Sequence, residues 1–177
     1  CPKGRYNELL RQPSVDRCLA CPEGTFLDAV EAISRDDCKD CAVGYYTPTT
    51  GNTDVSDCRA CASGQFQDET GAIGCNDCPR GKSQGDEGSI GCDDCSPGMY
   101  QDEAGKDTCE VCERGSFTNT GPATSAISCD ECAPGKYGID STQACISCGV
   151  GRYSAQPGQA SPCTWCAPGK ESLKTGQ

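Results

Sequence analysis

One nine-residue frame governs this chain. Residues 129–137 read CDECAPGKY, that is Cys-x-x-Cys-x-x-Gly-x-aromatic, and the same frame recurs at 18–26, 38–46, 58–66, 92–100, 109–117 and 145–153. Residues 75–83 and 163–171 keep the cysteines and the glycine but carry Ser83 and Glu171 where the ring stands elsewhere. Cys1-Pro-Lys-Gly4-Arg-Tyr6 is the same frame entered at its second cysteine. A pattern that returns at this spacing builds one small supersecondary unit per copy.

Counted from the second cysteine of one pair to the first of the next, the modules are 1–18, 21–38, 41–58, 61–75, 78–92, 95–109, 112–129, 132–145 and 148–163. A tenth opens at 166–177 and is unfinished, so the chain reads as a window onto a longer protein. Two residues always separate modules, while their interiors vary from 12 to 16 residues. The junction is therefore the fixed part and the tip the variable one.

A glycine stands three residues after the opening cysteine in all ten copies. That strictness predicts positive φ or a close backbone approach, at a turn into a strand. The ring two residues on predicts a short strand packed against a disulfide or the next module. Modules 4 to 6 carry a second glycine, Gly71, Gly88 and Gly105, four residues before the closing cysteine. These predict the turn of a short hairpin, with the closing cysteine on its return strand. The tips at 7–11 and 28–33 have length for one helical turn. The tips at 47–50 and 118–125 are rich in Thr, Ser and Pro. There Thr47, Thr49, Thr50, Thr118, Thr120, Thr124 and Ser125 are candidate O-glycan acceptors.

Three Phe, one Trp and one Met are too little apolar surface to offset the entropy of 177 residues. Nineteen cysteines stand in for a core. The expected fold is small and disulfide-rich: an elongated rod of tandem short β-hairpin modules, with little regular secondary structure and no large core. Disulfides at this density require an oxidising compartment, so the expected location is extracellular, secreted or on the cell surface. No apolar run approaches the roughly 20 residues of a membrane span.

Spacing alone leaves the connectivity open. Serial pairing would join Cys1–Cys18, Cys21–Cys38, Cys41–Cys58, Cys61–Cys75, Cys78–Cys92, Cys95–Cys109, Cys112–Cys129, Cys132–Cys145 and Cys148–Cys163. It leaves only Cys166 over, in the unfinished module. The alternative is an interleaved scheme, first to first and second to second across two pairs. Each serial loop contributes about 3 kcal/mol by the loop-entropy argument.

The charge of −11 excludes the basic footprint of a nucleic-acid binder. It is uneven: 68–113 holds twelve acidic and three basic residues, whereas 133–177 holds two acidic and four basic. The two stretches are complementary in sign, and staggered neighbours would place one against the other. Apolar tip residues Leu9, Leu10, Val30 and Ile33 would then supply adhesion. No cofactor is expected. Paired Cys-x-x-Cys motifs also occur in zinc ribbons, but the chain has no His and its pairs form an even ladder. Acidic junctions such as Asp36, Asp37 and Asp40 offer oxygen ligands without the spacing of a calcium loop. With no His and only scattered Ser and Thr, no catalytic set is present and no enzyme is expected.

Cys132-Ala-Pro-Gly-Lys-Tyr137 and Cys21-Pro-Glu-Gly-Thr-Phe26, each closed by a cysteine and followed by Cys-x-x-Cys, resemble the ephrin-receptor-like cysteine-rich repeats. The half-module is also similar to the first part of tumour-necrosis-factor-receptor repeats. The resemblance implies an elongated ectodomain or stalk and transfers no ligand-binding residue, because the matching positions are structural. The resulting expectation is an extracellular structural or adhesive segment, a stalk or the subunit of a surface filament or coat. Its partners would be other copies of itself, or other extracellular proteins and glycans. A receptor ectodomain binding a protein ligand is the alternative.

Overall fold

The computed structural model describes residues 1–8, 17–118 and 128–170. It contains nine two-stranded antiparallel pairs, every strand two residues long, and nine disulfides. Among the described residues there is no α-helix and no closed sheet. This is a small disulfide-rich fold of repeated hairpins. The chain divides into two units, one of residues 1–78 with 84–92 and one of 79–83 with 93–177.

The hairpin of each module is built from the frame itself. Thr25–Phe26 pairs with Lys39–Asp40, Thr25 opposite Asp40 and Phe26 opposite Lys39. The first strand is thus the residue before the ring plus the ring, and the return strand is the two-residue junction. The junction is held in register because the next cysteine donates its N–H to the glycine carbonyl, as from Cys41 to Gly24 at 2.8 Å. The closing cysteine accordingly precedes the return strand and is not part of it. Gln65–Phe66 pairs with Asn76–Asp77, immediately after Cys75; Gly71 and Gly88 do lie in turns with positive φ between the paired strands, as expected, but the closing cysteine is not on the return strand.

Within the first unit, modules stack through their backbones. The Gly24 N–H donates to the Thr47 carbonyl at 2.8 Å and the Gly44 N–H to that of Gln67 at 2.7 Å. Leu27 donates to Asn52, Thr47 to Ala72 and Gln67 to Ser89, each at 3.0–3.1 Å. Parallel bridges join Tyr6 to Ala32, Phe26 to Asn52 and Tyr46 to Ala72. The second tip glycine serves this stacking: the Gly71 N–H donates to the Cys41 carbonyl at 2.9 Å, and that of Gly88 to Cys61 at 2.8 Å.

The stack also reaches the module after next. Gly24 has φ +78°, and a Cβ there would overlap the Gly71 carbonyl, two modules on. The ten frame glycines all have positive φ, and Gly24 shows that close approach adds to the demand for that residue. The second unit repeats the scheme: Gly115 donates to Gly138 at 3.0 Å, and a Cβ on Gly115 would overlap the Gly158 carbonyl.

Among the described residues no large core forms. Cys21, Cys41, Cys61, Cys78, Cys132 and Cys148 are fully buried. Tyr6 packs with Cys21, Leu27 and Ala32, and Phe26 packs with Cys41 and Cys58. A ring of one module therefore covers the disulfide of the next. Ser83, standing where a ring is missing, approaches Sγ of Cys109 at 3.3 Å.

The helical turn expected at 28–33 is displaced. Residues 30–31 form a bend, and Glu31 takes positive φ of 59°. The 3-10 turn lies instead at Arg35–Asp37, and a second one lies at Val55–Asp57. Both start at a capping box: Ser34 or Asp54 accepts from the N–H two residues on, while Asp37 or Asp57 accepts from the cap's own N–H. Asx and Ser side chains favour such caps over helix interiors, which is why the turn falls there. The tip at 7–11 extends outside the described residues.

Candidate interaction surface

The frame spends its cysteines, its glycines and most of its rings on structure, so the surface a partner meets consists mainly of tips and junctions. Bonds close Cys1–Cys18, Cys21–Cys38, Cys41–Cys58, Cys61–Cys75, Cys78–Cys92, Cys95–Cys109, Cys112–Cys129, Cys132–Cys145 and Cys148–Cys163. Each bond lies within one module. Cys166 is half-buried and outside any bond.

Three tips are shaped by a glutamine. Gln67 accepts from the Glu69 N–H at 3.0 Å and donates to the Gly74 carbonyl at 2.9 Å, clamping the two arms together. Gln84 spans Asp86 and Gly91 in the same way, and Gln101 spans Glu103 and Thr108. Each of these modules has 13 residues between its cysteines, and in each the glutamine directly follows the ring position. That recurrence was available in the sequence. Gln67→Ala is expected to cost about 1–3 kcal/mol, because it strips two backbone groups of their partner at a buried position. Native-state hydrogen exchange of the module 4 amides measures it, and unchanged protection would contradict the clamp.

The position after the ring is inward in several modules, and this revises one expectation about Thr47. Leu27, Thr47, Gln67, Gln101 and Ser154 are all buried. Thr47 is only 1% exposed, with its hydroxyl 3.1 Å from that of Thr49. A hydroxyl so enclosed cannot accept a glycan. Thr118 is half-buried, and its hydroxyl accepts from the Gly98 N–H at 2.9 Å, so it too is committed to stacking. Thr49 and Thr50 are exposed, although Thr49 bonds Asn52 at 2.7 Å. Thr120, Thr124 and Ser125 lie outside the described residues, as do Leu9 and Leu10.

Acidic side chains border the exposed surface. Among the described residues the ion pairs are Lys39–Asp28, Lys82–Asp94 and Lys106–Glu103, all between exposed or largely exposed groups and worth little each. Asp93, Asp94, Asp102 and Glu103 are all exposed in the single chain. Several acids near the junctions are tied down: Asp37 accepts from Ile33 and Ser34, and Asp57 from Thr53 and Asp54. No three His, Cys, Asp or Glu side chains gather as a metal set among the described residues.

The Asp54 carboxyl is held below its ordinary value, first by the hydrogen bond from the Ser56 backbone. Its contribution to the cap is therefore present above the unfolded-state value and is lost as pH falls through the lower folded one. A carboxyl-carbon NMR titration is expected to place its midpoint below that of an unperturbed aspartate. A midpoint at or above the ordinary value would contradict the cap.

Apolar side chains stand out on the tips. Ile33, Val55, Ile73 and Ile90 are each more than half exposed. At the far end of the described residues Trp165 is 67% exposed, with the Arg152 guanidinium 4.0 Å from its ring centroid. Among the described residues, no helix is long and apolar enough to cross a membrane.

Residues 49–95 and 83–132 each match the family model described as tyrosine-protein kinase ephrin type A/B receptor-like. No curated protein matches the chain.

Proposed function

We propose that this chain, whose residues 49–132 are ephrin-receptor-like cysteine-rich repeats, serves as a structural and adhesive segment that associates with copies of itself in a cell-surface filament, coat or stalk. Repeats of this kind, with disulfides at this density, belong to an extracellular module of receptor or adhesive type. The observation that carries the finer reading is the recurrence of exposed apolar residues at Ile33, Ile73 and Ile90, one in each of three modules. A surface repeated along a stack suits a partner that is itself repeated, and scattered single apolar residues would not recur at one register. Catalysis is no part of this reading.

A receptor ectodomain binding a protein ligand is the alternative reading. Negative-stain electron microscopy and sedimentation of the oxidised chain over a range of concentrations separate the two. Concentration-dependent assembly of the pure chain is expected. A strictly monomeric chain would favour the receptor reading.

A further inference from the structure

Ile33, Thr53, Ile73 and Ile90 directly follow Ala32, Asn52, Ala72 and Ser89, the residues whose carbonyls accept one set of stacking bonds from the preceding modules. Four stacked layers of the first unit thus present β-branched side chains at one ladder position. Three of them are isoleucines 58–62% exposed. The tips of modules 4 and 5 border this line with Asp68, Glu69, Asp86 and Glu87. The glutamine clamps hold Glu69 across from Gly74, and Asp86 across from Gly91, so acid and isoleucine sit on the two arms of one tip. None of these four acids enters an ion pair among the described residues.

The second unit is acidic as a whole, with eight basic and eleven acidic residues, but its last stretch, residues 133–170, differs in character. Arg152 and Trp165 are cross-strand partners, with the guanidinium stacked on the indole. Val150 and Tyr153 beside them are exposed. Tryptophan and arginine are the residue types that most often dominate binding energy at interfaces. The first unit has seven basic and fifteen acidic residues, a net of −8. Residues 133–170 have three basic and one acidic, a net of +2.

We infer that the acid-bordered isoleucine line of the first unit docks the Arg152–Trp165 face of a second copy of this chain. The inference rests on the self-association reading above and names its two surfaces. They match in apolar character and oppose in charge, which fixes register more than affinity. Because the two faces differ, the contact is heterologous. Each docked copy leaves one face of each kind free, and growth continues from copy to copy unless the rotation closes a ring.

The test uses two variants of the full chain, Ile73→Glu/Ile90→Glu and Trp165→Ser, with Arg152→Glu as a second lesion of the Trp165 face. Ile73, Ile90 and Trp165 are exposed and Arg152 is half-buried, and intact disulfides by mass confirm folding. Sedimentation velocity is expected to show polymers for the unaltered chain. Each variant alone should need at least about a tenfold higher concentration to assemble. An equimolar mixture of Ile73→Glu/Ile90→Glu with Trp165→Ser should form dimers and stop there, since one intact face of each kind remains. Variants that polymerise like the unaltered chain would overturn this interface while leaving self-association standing. A mixture that stays monomeric would show that the two faces do not meet each other. An unaltered chain that is monomeric at every concentration would overturn both readings.

Discussion

Replacing Gly24 by alanine is expected to open its contacts with the next two modules. The residue holds φ +78°, where a side chain costs about 1–2 kcal/mol. The added Cβ would also overlap the Gly71 carbonyl, which belongs to the module after next. That carbonyl is backbone and cannot rotate away, so the stack must shift, at an overpacking cost of about 1–3 kcal/mol. The combined loss of about 2–5 kcal/mol should appear as faster hydrogen exchange at Gly24, Cys41 and Gly71, whose amides all donate to stacking or junction carbonyls. Gly74→Ala is the control, since a Cβ there meets nothing within 4 Å. Equal behaviour of the two variants would show that the layers do not stack as described.

Removing the Cys61–Cys75 bridge, with both residues changed to alanine, is the second large effect. The bond closes a sequence separation of 14 residues, and its loss is expected to cost about 3 kcal/mol of loop entropy. Cys61 is also fully buried, and its carbonyl accepts the Gly88 N–H, so the damage should not stay in one module. Limited proteolysis should cut first at the exposed arm around Asp68 and Glu69. Exchange at the Gly88 amide should then rise although its own module keeps the Cys78–Cys92 bond. Cleavage confined to module 4, with Gly88 as protected as before, would mean that modules are energetically independent.

That spread is the point at which sequence reading and structure part. The cysteine ladder, the strict glycine and the ring two residues later all follow from one repeating frame, and hairpins with positive-φ glycines follow from that frame in turn. The direction of the stack does not. A repeat shows that modules are alike, but not that Gly24 will lie against the second module on as well as the first. The place of the closing cysteine, before the return strand and not on it, is hidden for a related reason. Gly71 is in a turn, as its local sequence says, but its amide also donates to the Cys41 carbonyl in the neighbouring layer, which only the stack reveals.

Other features were written in the sequence without being conspicuous. Gln67, Gln84 and Gln101 each follow the ring position, and Ser34-x-x-Asp37 and Asp54-x-x-Asp57 are cap spacings just before closing cysteines. Thr47 stands in a tip whose composition suggests an exposed loop. Its burial follows from its register one residue after the ring, where Leu27 and Gln67 are buried too. Composition describes a segment, whereas burial here is decided residue by residue. The apolar line at Ile33, Ile73 and Ile90 depends in the same way on register, because these residues align only once the stacking bonds are known.

Each module is closed by its own disulfide, which frees the junctions to pair and the glycines to stack. Proteolysis of the oxidised chain under non-reducing conditions, followed by mass spectrometry of the linked peptides, tests this most directly. The account predicts nine serial links, among them Cys18 to Cys1, Cys21 to Cys38 and Cys41 to Cys58, with Cys166 outside all of them. Peptides joining Cys18 to Cys41, or Cys18 to Cys21, would contradict it.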